Sequence, residues 1–311
     1  MHAVPCPSGR ACPASARCSP ARLSPSVPDR ARRRLAAGLL AVACLLPMVA
    51  AAQGPQRKTV KTADATIAYH AEGSGPLFMV IASTGRGTEE FGALAARLVA
   101  RGYRVLRPEP RGIGGSVGPM EAVSFHDFAR DFAAVIEQEG GTPTVVAGHA
   151  YGNWIARVIA TDFPALTRGV VLLAAGARTW PQALSDAITT INDPASTEAQ
   201  RLAGLRLGFF AEGNDPRPWL DGWYQDVTRS QRAARQRTRQ ADWWAAGRAP
   251  MLDLQAAADP FRPASSRNEL KDEFPDRVTV RVVEGASHAL PAEQPGATAD
   301  AMADWADRLP R

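Results

Sequence analysis

The segment Thr144-Val145-Val146-Ala147-Gly148-His149-Ala150-Tyr151-Gly152-Asn153-Trp154-Ile155-Ala156 constrains the fold of this chain more than any other. A short β-branched apolar run enters a turn of form Gly-x-x-x-Gly, and an apolar stretch with helical spacing leaves it. A strand that bends so sharply into a helix needs small residues flanking the bend. It lifts the middle residue of the turn to the C-terminal edge of a sheet. That middle residue is Ala150, which carries a methyl group and no hydroxyl.

The rest of the chain agrees with a parallel sheet. Leu77-Phe78-Met79-Val80-Ile81 is a continuous apolar run of strand length, the pattern of a strand buried on both faces. Val60 to His70 predicts one or two strands ending at Gly73-Ser74-Gly75-Pro76. Glu89 to Arg101 predicts an amphipathic helix closed by Gly102. Tyr103 to Leu106 is the next strand. Ser124 and Asp127 form a variant capping box for a helix to about Gln138. Further strands are expected at Gly169–Leu173, Met251–Leu254 and Arg277–Val283, with helices at Asn153–Phe163, Ser265–Asp272 and Ala292–Leu309. Strands alternating with helices predict an α/β fold, a mostly parallel sheet with helices on both faces. Residues 177–249 interrupt the alternation. They show helical patterning, are rich in Arg, Gln and Trp, and predict an inserted helical cap.

The first 52 residues read as a leader. Arg30, Arg32, Arg33 and Arg34 precede an apolar run from Leu35 to Ala50, followed by small and then polar residues. This is the order of a secretory signal peptide. The run is shorter than the ~20 residues of a spanning helix and contains Pro47. Cys44 would allow lipid anchoring only after a very short apolar stretch. The residues before Arg30 are atypical of a leader, and translation is expected to start near Val27. Export to the periplasm or the medium follows as the expected localisation, with residues 53–311 as the folded domain and no stable membrane span after leader removal.

The leader also explains the charge. The chain is formally +5, but residues 1–52 hold seven arginines and one aspartate, leaving 29 basic and 30 acidic residues in the domain. Nucleic acid is therefore not an expected partner. All four cysteines (Cys6, Cys12, Cys18, Cys44) lie in the leader, so the domain has no thiol nucleophile and no disulfide. His70, His126, His149 and His288 fall in separate elements without metal-ligand spacing, and the glycines from Gly112 to Gly118 lack the Lys-Ser/Thr ending of a phosphate loop. Neither a metal nor a cofactor is expected.

Four motifs in order make the chain similar to the α/β-hydrolase superfamily. The Gly148–Gly152 turn resembles its nucleophile elbow. Glu109-Pro110-Arg111-Gly112-Ile113-Gly114-Gly115-Ser116 resembles its Asp-x-Arg-Gly-x-Gly-x-Ser loop, with Glu in place of Asp. Asp259, in Ala258-Asp259-Pro260, stands where the family places its acid. His288, in Gly285-Ala286-Ser287-His288-Ala289-Leu290, stands where it places its histidine. The resemblance covers nearly all of the domain and implies an α/β-hydrolase fold with an inserted cap. By position it also implies an oxyanion hole from the backbone N–H groups of Thr84 and Tyr151. The chain departs from the family at Ala150 and at Ala82-Ser83-Thr84, where His-Gly-x is common.

Each residue has a plainer reading beside the functional one. His288 could be a solvated loop histidine and Asp259 a turn residue; Asp253, on a strand, is the weaker candidate acid. His149 is expected to pack at the elbow. Glu109 and Arg111 are expected to brace their loop as a pair. Ser83 and Thr84 could serve as displaced nucleophiles or merely hydrogen-bond within the loop. Trp219, Trp223, Tyr224, Trp243 and Trp244 could line an apolar substrate pocket or form the core of the cap.

A methyl group cannot be deprotonated by histidine, so the Ser-His-Asp route is closed. What remains is a His288–Asp259 dyad facing two N–H donors, able to activate water or remove a substrate proton. Three functions follow as expectations. One is hydrolysis of esters, lactones or related carbonyl compounds, by activated water or through Ser83 or Thr84. Another is general-base chemistry of a lyase or cofactor-free oxygenase. A third is binding of a small apolar ligand without turnover. The resemblance implies the first, with a small apolar or carbonyl compound as partner.

Overall fold

The computed structural model describes residues 54–310. The expected leader, its Cys44 and the translation start lie outside the described residues. The chain builds eight strands: β1 Gln56–Lys61, β2 Thr66–Gly73, β3 Leu77–Ile81, β4 Arg104–Pro108, β5 Thr144–His149, β6 Thr167–Leu173, β7 Met251–Ala256 and β8 Val278–Val283. They form one sheet in the order β1-β2-β4-β3-β5-β6-β7-β8. β1 and β2 pair antiparallel, as do β2 and β4. Every other pairing is parallel.

The helices named α1 to α3 are Gly92–Ala100, Phe125–Gln138 and Gly152–Asp162. Between β6 and β7 the chain forms α4 Gln182–Asn192, α5 Glu198–Gly208 and α6 Gln225–Arg237, with no strand. After β7 come α7 Glu269–Glu273, α8 Leu290–Glu293 and α9 Pro295–Ala306.

Side-chain alternation along each strand explains why the central strands read as continuous apolar runs. Met79, Val146, Val170 and Leu172 face one core, packed with Phe128 and Phe132 of α2 and Ile155 and Ile159 of α3. Phe78, Val80, Val145, Val171, Leu173 and Leu254 face the other, packed with Leu94 and Leu98 of α1 and Met302 and Trp305 of α9. A smaller cluster of Ile191, Leu205, Phe209, Phe210 and Trp219 gives the helices between β6 and β7 a core of their own.

Local signals account for the ends of these elements. The Asp127 carboxylate accepts from the Ser124 backbone N–H (2.8 Å) and hydroxyl (2.7 Å) at the start of α2. Two expectations need correction. The helix expected over 292–309 is two helices, because Gln294 leaves helical geometry and Pro295, which lacks an N–H, opens α9. The helix expected from Ser265 starts only at Glu269, after a single 3-10 turn at Ala264–Ser266.

Candidate active site

The bend between β5 and α3 is as tight as its sequence demands. A Cβ on Gly148 would lie 2.2 Å from the carbonyl carbon of Gly152, and one on Gly152 would lie 2.6 Å from the Ile81 carbonyl oxygen. Only hydrogen fits at either place. Ala150 has φ +46°, in the left-handed region that non-glycine residues enter at a cost of about 1–3 kcal/mol. The strain persists because the turn is pinned. Ala150 N–H donates to Leu173 O (2.9 Å), while the Asn153 backbone N–H (3.1 Å) and side-chain amide both donate to Ala150 O.

Around this methyl group the structure brings together residues that are far apart in sequence. Ser83 and Thr84 follow β3, Ala150 and Tyr151 follow β5, and His288 follows β8. All five line one cavity of about 70 Å³. Asp259, after β7, reaches His288 from behind: Oδ2 is 2.9 Å from Nδ1, and both residues are buried. The other Asp259 oxygen accepts the Phe261 backbone N–H at 2.9 Å, which fixes the carboxylate. With Nδ1 donating to Asp259, the imidazole presents Nε2 as a lone pair to the cavity. Among the described residues, neither Thr84 N–H nor Tyr151 N–H donates to a protein acceptor.

The walls are aromatic. Phe261 lies against His288 with ring centroids 4.2 Å apart, and Phe209 meets it edge-on at 5.4 Å. Trp154, Trp180 and Trp223 complete the apolar lining. Of the candidate cap aromatics, Trp223 lines the cavity and Trp219 packs beside His149. Trp243 instead packs against Trp154 in the main core, Trp244 lies under Arg157, and Tyr224 is exposed. Trp180, Phe209 and Phe261 were not singled out from the sequence; Phe261 could have been, two residues beyond Asp259.

His149 is fully buried, and its Nε2 donates to the His288 carbonyl at 2.7 Å. Its Nδ1 faces Glu90 Oε1 at 3.7 Å. Burial alone would raise the Glu90 pKa. The Arg86 guanidinium, 2.5 Å away, and the His149 ring together hold it below the usual carboxylate range. This Arg86–Glu90–His149 chain buttresses the loop that carries His288.

Glu109 and Arg111 do not pair with each other. Each is bonded to a different element. Glu109 accepts from the Thr88 hydroxyl (2.6 Å) and backbone N–H (3.1 Å), while Arg111 grips Asp131 of α2 through two bonds of 2.7 and 2.9 Å. Asp253 is tied to Arg262 (2.7 Å) and Gln255 (2.9 Å) and has no contact with His288. Among the described residues, no group of His, Cys, Asp or Glu could hold a metal ion, and no helix is long and apolar enough to cross a membrane.

A sheet of this order, with a strained elbow at the end of β5 and an acid and a histidine after β7 and β8, defines a protein of the α/β-hydrolase class. Residues 73–301 match the Alpha/beta hydrolase family, and the chain belongs to that family. Among solved structures it is similar to E-2-(acetamidomethylene)succinate hydrolase, with a TM-score of 0.68 and 20% identity over 82% of this chain and 100% of that one. It is also similar to a thermophilic esterase from Thermogutta terrifontis, with a TM-score of 0.65 and 20% identity over 81% and 98%. At such identity the likeness is one of fold. Pyrrolizixenacetamide deacetylase from Xenorhabdus hominickii is 28% identical over 116 residues, 37% of this chain and 44% of the relative. The match thus spans less than half the length of that curated relative.

Proposed function

We propose that this protein is an exported hydrolase of ester, lactone or related carbonyl substrates that works without an elbow serine. The observation that carries the reading is the His288–Asp259 pair at 2.9 Å, retained beside a methyl group in an apolar cavity. Asp259 holds the imidazole in the tautomer that leaves Nε2 free to take a proton. The substrate carbonyl sits against the N–H groups of Thr84 and Tyr151, which stabilise the oxygen as it becomes an anion. Water takes the space a serine hydroxyl would fill. His288 removes its proton as it attacks the carbonyl carbon, then returns a proton to the leaving group. The cavity is large enough for water, whose share of the liquid is about 30 Å³. Ser83 or Thr84 as nucleophile is the variant of this route that the cavity lining also supports.

Similarity over 116 residues to a deacetylase supports carbonyl hydrolysis. Export rests on the pattern from Arg30 to Ala52 and is checked by sequencing the N-terminus of the secreted or periplasmic protein.

Asp259→Asn tests the dyad. The substitution preserves shape but reverses the tautomer preference, so kcat on a responsive ester should fall about 10²- to 10⁴-fold. A fall of less than threefold in a folded variant would remove Asp259 from the mechanism. Ala150 itself favours a second reading, in which the same base removes a proton from a bound carbon acid, as in a lyase or cofactor-free oxygenase. That reading predicts a product other than the acid and alcohol of hydrolysis.

A further inference from the structure

The inner cavity borders a second chamber of about 470 Å³, and the two share Thr84, Tyr151, Trp154, Trp180 and Ile188 as lining. The chamber has a different chemistry. Arg232 and Arg235 of α6 line it, and no aspartate or glutamate does. Among the described residues neither arginine forms an ion pair, whereas the neighbouring Arg229 is paired with Asp226. Arg235 is held in place by stacking, its guanidinium 4.8 Å from the Trp154 ring centre and 5.9 Å from that of Trp180. Stacking fixes a guanidinium without using its N–H donors. Among the described residues, the Arg232 guanidinium hydrogen-bonds only to the Thr189 hydroxyl, at 3.4 Å.

Gln231, between the loop that follows β3 and the chamber, is 4% exposed. Its Oε1 accepts the Gly85 backbone N–H at 2.8 Å. This bond fixes the orientation of the amide and leaves its Nε2 without a protein acceptor among the described residues. Two unpaired arginines and an oriented amide donor therefore stand above an aromatic floor. All are donors, and none of the chamber's charged groups is negative.

From this arrangement we infer that the outer chamber binds a carboxylate, so that the substrate is an amphiphilic anion. Its apolar body lies on Trp154 and Trp180, its carboxylate meets Arg232, Arg235 and Gln231, and its reacting carbonyl enters the inner cavity. The placing of the carbonyl rests on the hydrolase reading; the carboxylate site does not.

Binding tests the inference without turnover. The probes are 5-phenylpentanoate and its neutral isostere 5-phenylpentanamide, titrated into the purified protein by calorimetry and by tryptophan fluorescence. The carboxylate should bind about tenfold more tightly than the amide at low salt, with the preference shrinking as salt is added. Arg232→Gln/Arg235→Gln should abolish the preference, and Arg232→Lys/Arg235→Lys should keep part of it. Equal affinities, a preference surviving in the glutamine variant, or no saturable carboxylate binding would each overturn the inference. His288→Ala should leave the preference intact. If that variant also keeps full ester turnover, the hydrolase reading fails while the anion site stands.

Discussion

Ala150→Ser should convert the elbow into a working nucleophile. The backbone already holds the left-handed conformation, φ +46°, and serine tolerates it no worse than alanine. The added oxygen enters a cavity of about 70 Å³ and displaces no packed atom, so stability should change by less than about 1 kcal/mol. On the rate, the relevant comparison is attack by a positioned hydroxyl against attack by a loosely held water, with the same base and the same oxyanion donors. Fixing the nucleophile in hydrogen-bond reach of His288 should accelerate acylation at least about 10²-fold, or about 2.7 kcal/mol of barrier. The assay is a stopped-flow burst of nitrophenolate from 4-nitrophenyl acetate, with intact-mass detection of the acetylated protein. Adding His288→Ala should abolish the burst. A folded Ala150→Ser protein with neither burst nor adduct would refute the claim that base, elbow and N–H donors are assembled for acyl transfer.

Other substitutions probe the scaffold. Gly152→Ala puts a methyl group 2.6 and 2.7 Å from the carbonyl oxygens of Ile81 and Ala82, and chemical denaturation should show a loss of about 3 kcal/mol or more. Ala150→Gly relieves the φ strain and should hold or raise Tm, where Ala→Gly in a helix would lower it. Glu90→Gln bears on pH. Since the folded pKa of Glu90 is depressed, its contribution to stability is complete above the ordinary glutamate pKa and is lost as pH falls through the folded value. The stability gap between wild type and Glu90→Gln, measured by denaturation across pH 3 to 7, should therefore be widest at neutral pH and narrow on acidification. A gap that widens with acid would contradict the assigned direction.

Much of the fold was legible because burial imposes periodicity. Leu77 to Ile81 is apolar throughout because its two faces feed two cores, and Ser124–Asp127 marks a helix start by chemistry confined to four residues. The elbow was legible because Gly148 and Gly152 have no substitute at those distances. His288 and Asp259 were placed by their order after strands, and the structure brings them within hydrogen-bond distance. What the sequence hid were meetings between distant elements. Glu109 and Arg111, two residues apart, serve different partners, Thr88 for one and Asp131 of α2 for the other. Trp223 and Trp243 had the same two readings in a tryptophan-rich region, yet one lines the cavity and the other is core. The Arg86–Glu90–His149 chain joins α1's approach to the elbow, a contact without local sequence signature.

If His288 drives carbonyl hydrolysis at a site without an elbow hydroxyl, turnover depends on its imidazole. The most direct measurement is turnover of a panel of short-chain aryl esters and lactones by wild type and His288→Ala, run side by side at matched concentration and purity. Turnover by wild type that falls about 10²-fold or more in His288→Ala is the predicted result. Equal turnover by the two proteins, or none by either, would contradict it.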